Sequence, residues 1–240
     1  MSRYRTYGGF PGRRTRHFSP LRGGGHRSMW KIRLIIGGGI VLFALFSFLR
    51  SREYNPVTGE KQFVSISPQQ EVALGLQAIP QMLRQYGGEY PDARLQGYVD
   101  QIGGRILQAN PKIEQAHPWQ FEFYLLRDDQ TINAFALPGG QIFITYALFS
   151  KLNEAQLAGV IGHEIGHVVA RHGAQRMAKE GFKRGIIGAV VAASGSPDIG
   201  RVTQMVGDMV GMSYGRGDEL QSDKLGVEFM ALAGYNPHEM

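Results

Sequence analysis

His163 and His167 occupy positions i and i+4, with Glu164 directly after the first, in a run that also holds Val160, Ile161, Ile165, Val168 and Val169. On a helix such positions share one face about one turn apart, so both imidazoles can reach a single Zn²⁺ at roughly 2.0 to 2.1 Å. Glu164 is rotated about 100° from His163, so it borders the open coordination position and can take a proton from water there. Two neutral nitrogen ligands and a carboxylate base are the residue types that metal-assisted hydrolysis requires. A helix that is apolar nearly all round would bury these three polar side chains, and a divalent cation gives them a partner.

A tetrahedral site needs a third protein ligand and leaves the fourth position to water. The HExxHxxGxxH arrangement does not supply it, because Ala170 and Gly173 stand at the required Gly and His. His172 lies about 140° from His167 around a continuous helix and is expected to be a polar residue at the helix end, away from the metal. Glu219, in Arg216-Gly217-Asp218-Glu219-Leu220-Gln221-Ser222-Asp223, is the better candidate. On a second helix packed across the first it would complete a His₂Glu site for one Zn²⁺ per chain. Asp223, one turn further on, could accept the free ring N–H of a ligating histidine.

The elements that must position these residues are legible from caps and periodicity. Asn153, with Gln156 three positions on, opens a helical pattern expected to run unbroken to about Glu180. Ser67-Pro68-Gln69-Gln70 opens another, ended by Gly87-Gly88, and a third runs from about Pro91 to Ala109. Strand signals at 121–126, 131–137 and 141–145, the last two joined across Pro138-Gly139-Gly140, predict a small antiparallel sheet and an α+β domain. The apolar run from Gly185 to Ala193 is too short to span a bilayer and reads as a buried helix or a hairpin dipping toward the membrane. A last helix is expected from Arg216 or Asp218 to Gly234, its C-cap.

The net charge of +6 over 240 residues is unevenly distributed. Residues 1–52 hold 11 of the 26 Lys and Arg and none of the 20 acids, so the remainder is mildly acidic. No Cys is present, which excludes disulfide scaffolds, thiolate metal sites and a lipoprotein anchor. Ile32 to Leu49 is apolar enough, at about 27 Å as a helix, to cross a bilayer, with Trp30 at the headgroup level. No small residues suited to signal cleavage follow it, which predicts an uncleaved anchor. The expected organisation is a basic tail over 1–31, a transmembrane anchor over 32–49, a polar linker over 50–66 and a catalytic domain over 67–240. Eight basic residues precede Ile32 and two follow Leu49, predicting a cytosolic N-terminus and a catalytic domain on the opposite side, the periplasm in a bacterium. An Arg-rich leader also suits the inner mitochondrial membrane. The leader's charge is explained by topology, so no nucleic-acid partner is expected.

The HExxH segment, the Glu219-x-x-x-Asp223 pair and the upstream Asn133-Ala134-Phe135-Ala136-Leu137-Pro138-Gly139-Gly140 together resemble the membrane-associated gluzincin metallopeptidases of the HtpX, BepA and mitochondrial Oma type, peptidase family M48. The likeness covers about residues 67–240. It implies a mostly helical, zincin-type domain and a zinc endopeptidase hydrolysing unfolded or misfolded proteins in quality control at a membrane. It implies His163, His167 and Glu219 as zinc ligands, Glu164 as the catalytic base and Asp223 as a supporting carboxylate. It also implies that a strand carrying Asn133, Ala134, Phe135, Gly139 and Gly140 borders the cleft, where an edge strand can pair with extended substrate through main-chain hydrogen bonds. Ser222 stands where the family usually has Ala. Family members continue beyond the point corresponding to Met240, so the domain is expected to be C-terminally incomplete. The alternative is a chaperone-like client-binding protein with a structural zinc.

Overall fold

The computed structural model describes residues 26–116, 118–194 and 214–240. The basic leader over 1–25 lies outside the described residues. Helix α1, His26–Arg50, begins before the apolar run and includes it. Its stretch Met29–Arg50 has a mean hydropathy of 2.3 and is long and apolar enough to cross a bilayer. Side chains such as Ile35 and Phe43, 73% and 72% exposed, face away from the rest of the protein. A contiguous apolar surface of that size needs a non-aqueous cover.

The segment expected to be a polar linker is instead folded onto the body. Strands β1, Arg52–Tyr54, and β2, Lys61–Phe63, pair antiparallel as a short hairpin. In its loop, Asn55 is fully buried, donating from Nδ2 to the Val169 carbonyl at 2.8 Å and accepting at Oδ1 from the Val57 N–H at 2.9 Å. A stalk would leave this amide in water; here it ties the hairpin to the body.

Helix α2, Pro68–Gln85, starts with the expected capping box: the Ser67 hydroxyl accepts from the Gln70 N–H, and the Gln70 side chain accepts from the Ser67 N–H. Helix α3, Ala93–Ala109, is capped by Asp92 and buries Val99, Ile102 and Ile106 on one stripe. After the short α4, Pro111–Ala116, come β3, Glu122–Leu126, β4, Ala134–Ala136, and β5, Gln141–Thr145. The spatial order is β3-β5-β4. The sheet is mixed, which corrects the expectation of a purely antiparallel one: β4 runs antiparallel to β5, and β3 runs parallel to it. Every residue of β5 is buried, as suits the central strand, and its two predecessors flank it.

A short α5, Tyr146–Phe149, leads to α6, Glu154–Val169, which opens with the Asn153/Gln156 capping box and carries the HExxH segment. The single long helix expected from Asn153 to Glu180 is broken. Arg171 adopts φ 57°, and α7, His172–Ser194, leaves in a new direction. The cause is a buried ion cluster. The Arg171 guanidinium donates from Nε to Glu71 Oε1 at 2.6 Å, from Nη1 to Glu53 Oε2 at 2.8 Å and from Nη2 to the Ile66 carbonyl at 2.8 Å. A left-handed backbone costs about 1 to 2 kcal/mol, which charge-assisted bonds of this kind offset. The Gly185–Ala193 run is the distal part of α7, which lies along α1: Phe182 stacks on Phe48 at 4.9 Å between ring centroids, and Gly185 faces Ala44.

Helix α8, Arg216–Leu232, follows, ending before Gly234 at φ 81°, with a 3-10 turn at Pro237–Glu239. The main core joins Val99, Ile102 and Ile106 of α3, Leu125 and Ile142 of the sheet, Ile161 and Ile165 of α6, and Phe229 of α8. Arg171→Met keeps an aliphatic stem but leaves Glu71, 1% exposed, without its cation. It should cost about 3 to 5 kcal/mol, read as a lower denaturant midpoint with an unchanged slope.

Candidate metal centre and active site

The site exists because α6 and α8 cross with their main chains almost touching. A Cβ added at Gly162 would lie 3.0 Å from the Gly226 carbonyl oxygen, and one at Gly166 would lie 3.1 Å from Ser222 Cα. From the other side, a Cβ at Gly226 would come within 2.8 Å of the His163 nitrogen. Side chains on the flanks of this seam are thereby brought within bonding reach of one another.

His163 Nε2 and His167 Nε2 face each other at 3.0 Å. Glu219 Oε2, from the first turn of α8, lies 3.3 Å from the first nitrogen and 3.7 Å from the second. One donor atom from each residue falls within 4.8 Å of the others. Asp223 Oδ1 is 2.8 Å from His163 Nδ1. An ionised carboxylate only accepts, so the His163 ring proton sits on Nδ1 and Nε2 offers a lone pair toward the cluster. Two imidazole nitrogens and a carboxylate oxygen converging on one point suit a divalent cation, and the residues present fit such an ion.

His167 is 3% exposed, and burial, with His163 and His172 beside it, pushes its pKa down to about 3. It is therefore neutral, as a nitrogen ligand must be. Glu164 is 7% exposed and its carboxyl is pushed up to about 8 by burial first, then by the charge of Glu219, against the opposing Ala136 N–H. That is its state in the metal-free site, and a divalent cation held by the neighbouring ligands would draw it back toward the carboxylate range.

The strand beside it is the sheet's outer edge. Asn133 and Leu137 engage β5, through Thr145 N–H to the Asn133 carbonyl at 3.0 Å and Leu137 N–H to the Gln141 carbonyl at 2.8 Å. In an antiparallel ladder the intervening residues Ala134 and Ala136 then turn their main-chain groups outward, and the Ala136 N–H meets Glu164. The other residues expected on this strand act differently. The Phe135 ring stacks on Phe143 at 5.0 Å, within the sheet's second apolar cluster. Gly139 and Gly140, at φ 96° and 124°, form the turn into β5, where a Cβ would strike Val72 of α2 and Gln120 respectively. Their freedom from side chains serves packing behind the cleft.

Three residues at the site were not anticipated. His172, 1% exposed, places Nδ1 2.8 Å from His167 Nδ1 and Nε2 2.9 Å from Gln221 Oε1. The break at Arg171 turns it inward, which a continuous helix would have prevented. Tyr214 stacks on the His167 ring at 4.1 Å with 20° between planes. Ser222, 0% exposed, fills the seam against Gly166. Small residues at four-residue spacing on both helices, Gly162 and Gly166 against Ser222 and Gly226, were the available signal for the close crossing.

A mostly helical domain with a small mixed sheet, and a His₂Glu cluster beside a buried glutamate, are the features of a metallopeptidase domain. The family model of Peptidase family M48 matches residues 93–240. The chain belongs to this family. It is 30% identical over 203 residues to the β-barrel assembly-enhancing protease of Yersinia pestis, covering 80% of this chain and 40% of that one. Against the protein of the same name from Escherichia coli it is 29% identical over 208 residues, covering 81% and 41%. Against the mitochondrial metalloendopeptidase OMA1 of Schizosaccharomyces pombe it is 28% identical over 210 residues, covering 85% and 58%. The chain thus spans about two-fifths of the length of the bacterial relatives.

A carboxyl whose folded pKa of about 8 exceeds its ordinary 4.5 favours the folded state below 4.5 and loses that contribution as pH rises through 8. Chelator-treated Glu164→Gln should therefore melt higher than chelator-treated wild type at about pH 9, with the gap closing near pH 4. A gap that is constant across this range in thermal denaturation would contradict the burial of the charge.

Proposed function

We propose that this chain is a single-pass, membrane-anchored zinc endopeptidase that hydrolyses peptide bonds of unfolded or misfolded proteins. The observation that carries the reading is the convergence of His163 Nε2, His167 Nε2 and Glu219 Oε2 next to the Glu164 carboxylate and the free edge of β4. His163, His167 and Glu219 would hold the ion, and Asp223 would orient His163. Bound there, Zn²⁺ would supply Lewis acidity for peptide-bond hydrolysis.

The chain's own residues account for the remaining steps. Glu164 takes a proton from the attacking water and returns it to the amine nitrogen of the departing chain, so no net proton is consumed. The outward main-chain groups of Ala134 and the Ala136 carbonyl can add an extended substrate as a further strand, while the Ala136 N–H is held by Glu164. Pairing through main-chain groups is indifferent to side-chain sequence but requires an unfolded segment. That supports a quality-control role over processing of one folded target.

Helix α1 would cross the bilayer with the basic leader on the cytosolic side, because positive charge is retained there. The metal centre would then lie on the opposite face, periplasmic in a bacterium. The names of the bacterial relatives, which refer to β-barrel assembly, suit that compartment, and the mitochondrial relative keeps a mitochondrial membrane as the alternative.

The test uses the purified full chain in detergent with unfolded casein. Zinc-loaded wild type should produce fragments that a chelator abolishes, and zinc-loaded Glu164→Gln should retain the metal but cleave at least about a hundredfold more slowly. Near-normal cleavage by Glu164→Gln would overturn the mechanism. Stable casein binding without fragments would replace it with the client-holding function.

A further inference from the structure

A neutral imidazole carries one ring proton, and it can ligate a metal only through the nitrogen that lacks it. The partner of the other nitrogen decides which is bare. At His163 the Asp223 carboxylate makes the decision. His167 has no carboxylate at Nδ1; it faces a second imidazole, His172, whose own tautomer is undetermined by that contact alone.

The direction is set two residues further out. Gln221 donates from Nε2 to Glu60 Oε2 at 3.0 Å. Because a carboxylate can only accept, this contact orients the amide and aims Gln221 Oε1 at His172 Nε2, 2.9 Å away. The amide oxygen also only accepts, so His172 carries its proton on Nε2 and keeps a lone pair on Nδ1. That lone pair lies 2.8 Å from His167 Nδ1, which must therefore be the protonated nitrogen of its ring. His167 Nε2 is left bare beside the bare His163 Nε2, 3.0 Å away, and Glu219 Oε2, so three lone-pair donors face one another with no proton between them, an arrangement that a cation relieves. His167 and His172 are 3% and 1% exposed, so water does not compete for either ring.

We infer that His172, oriented by Gln221 and Glu60, is a positioning residue that sets the tautomer of His167 and so prepares the metal site. The inference rests on the reading of His167 as a metal ligand. It links the site to the hairpin beside the membrane helix, since Glu60 precedes β2, and Glu53 of β1 holds the Arg171 turn that swings His172 inward.

The test reads the tautomer directly. Nitrogen-15 spectra of the metal-free full chain, labelled at histidine and held in detergent, should show His167 protonated at Nδ1. In His172→Leu that preference should be lost, and Zn²⁺ affinity, measured by competition with a chelating dye, should fall about 10- to 100-fold. His172→Gln, whose amide oxygen can accept from His167 Nδ1, should stay within about threefold of wild type on the same footing. Gln221→Leu, at the half-exposed end of the relay, gives the same readout should the core variant not fold. Protonation of His167 at Nε2 in the metal-free wild type, or wild-type zinc affinity in His172→Leu, would overturn the inference. If wild type bound no zinc at all, the metal-site reading would fail instead, and the tautomer spectrum would still decide the relay.

Discussion

The near-contact of two helix backbones is the constraint on which the site depends. Gly162 and Gly166 on α6 meet Gly226 and Ser222 on α8 with no room for a further Cβ. Helices that cross on larger side chains sit about 8 to 10 Å apart, and short side chains such as His and Glu then meet only by leaning into the gap. Here the seam is closed by small residues, so His163, His167, Glu219 and Asp223 reach one another from its flanks. Ser222 occupies a buried slot where its Oγ finds no hydrogen-bond partner among the described residues. The cost of burying a lone hydroxyl is of the order of 1 to 3 kcal/mol, and the small side chain is what leaves room for the seam to close.

A second constraint works from the other end of α6. Arg171 is completely buried, and its three donations to Glu71, Glu53 and the Ile66 carbonyl hold the hairpin, the start of α2 and the end of α6 together. A guanidinium satisfies several acceptors in one plane, which lysine cannot do. Its left-handed backbone is what ends α6 directly after the metal-site turn and redirects α7 along α1. The apolar helix α1, the hairpin and the His163–His167–Glu219 cluster are in this way parts of one packed unit.

The sheet adds a reaction surface to this unit. Because β5 is wholly buried and central, β4 is left at the edge, and its outer main chain faces Glu164. Edge strands are usually protected against pairing with other chains. On the proposed function an open edge has a use: an extended chain paired with it would be held where its peptide bonds can be attacked.

Much of this was legible from local residue patterns. The capping boxes at Ser67 and Asn153 marked helix starts because a side chain three positions away closes the same local ring, and they lie where expected. The HExxH spacing likewise expresses helical geometry, and the apolar run of α1 expresses its length. The Glu219–Asp223 pair could be named but not located by periodicity, since its meeting with the histidines depends on a crossing between helices far apart in sequence. What the sequence by itself determined was therefore what contiguous residue patterns set: caps, the His163/His167 spacing and the span of the apolar helix. Only the tertiary structure decided the strand order that makes β4 an edge, the break at Arg171, and the inward turn of His172. Each of these depends on partners more than 40 residues away along the chain or on which strand is buried most deeply, and local propensity carries no record of either.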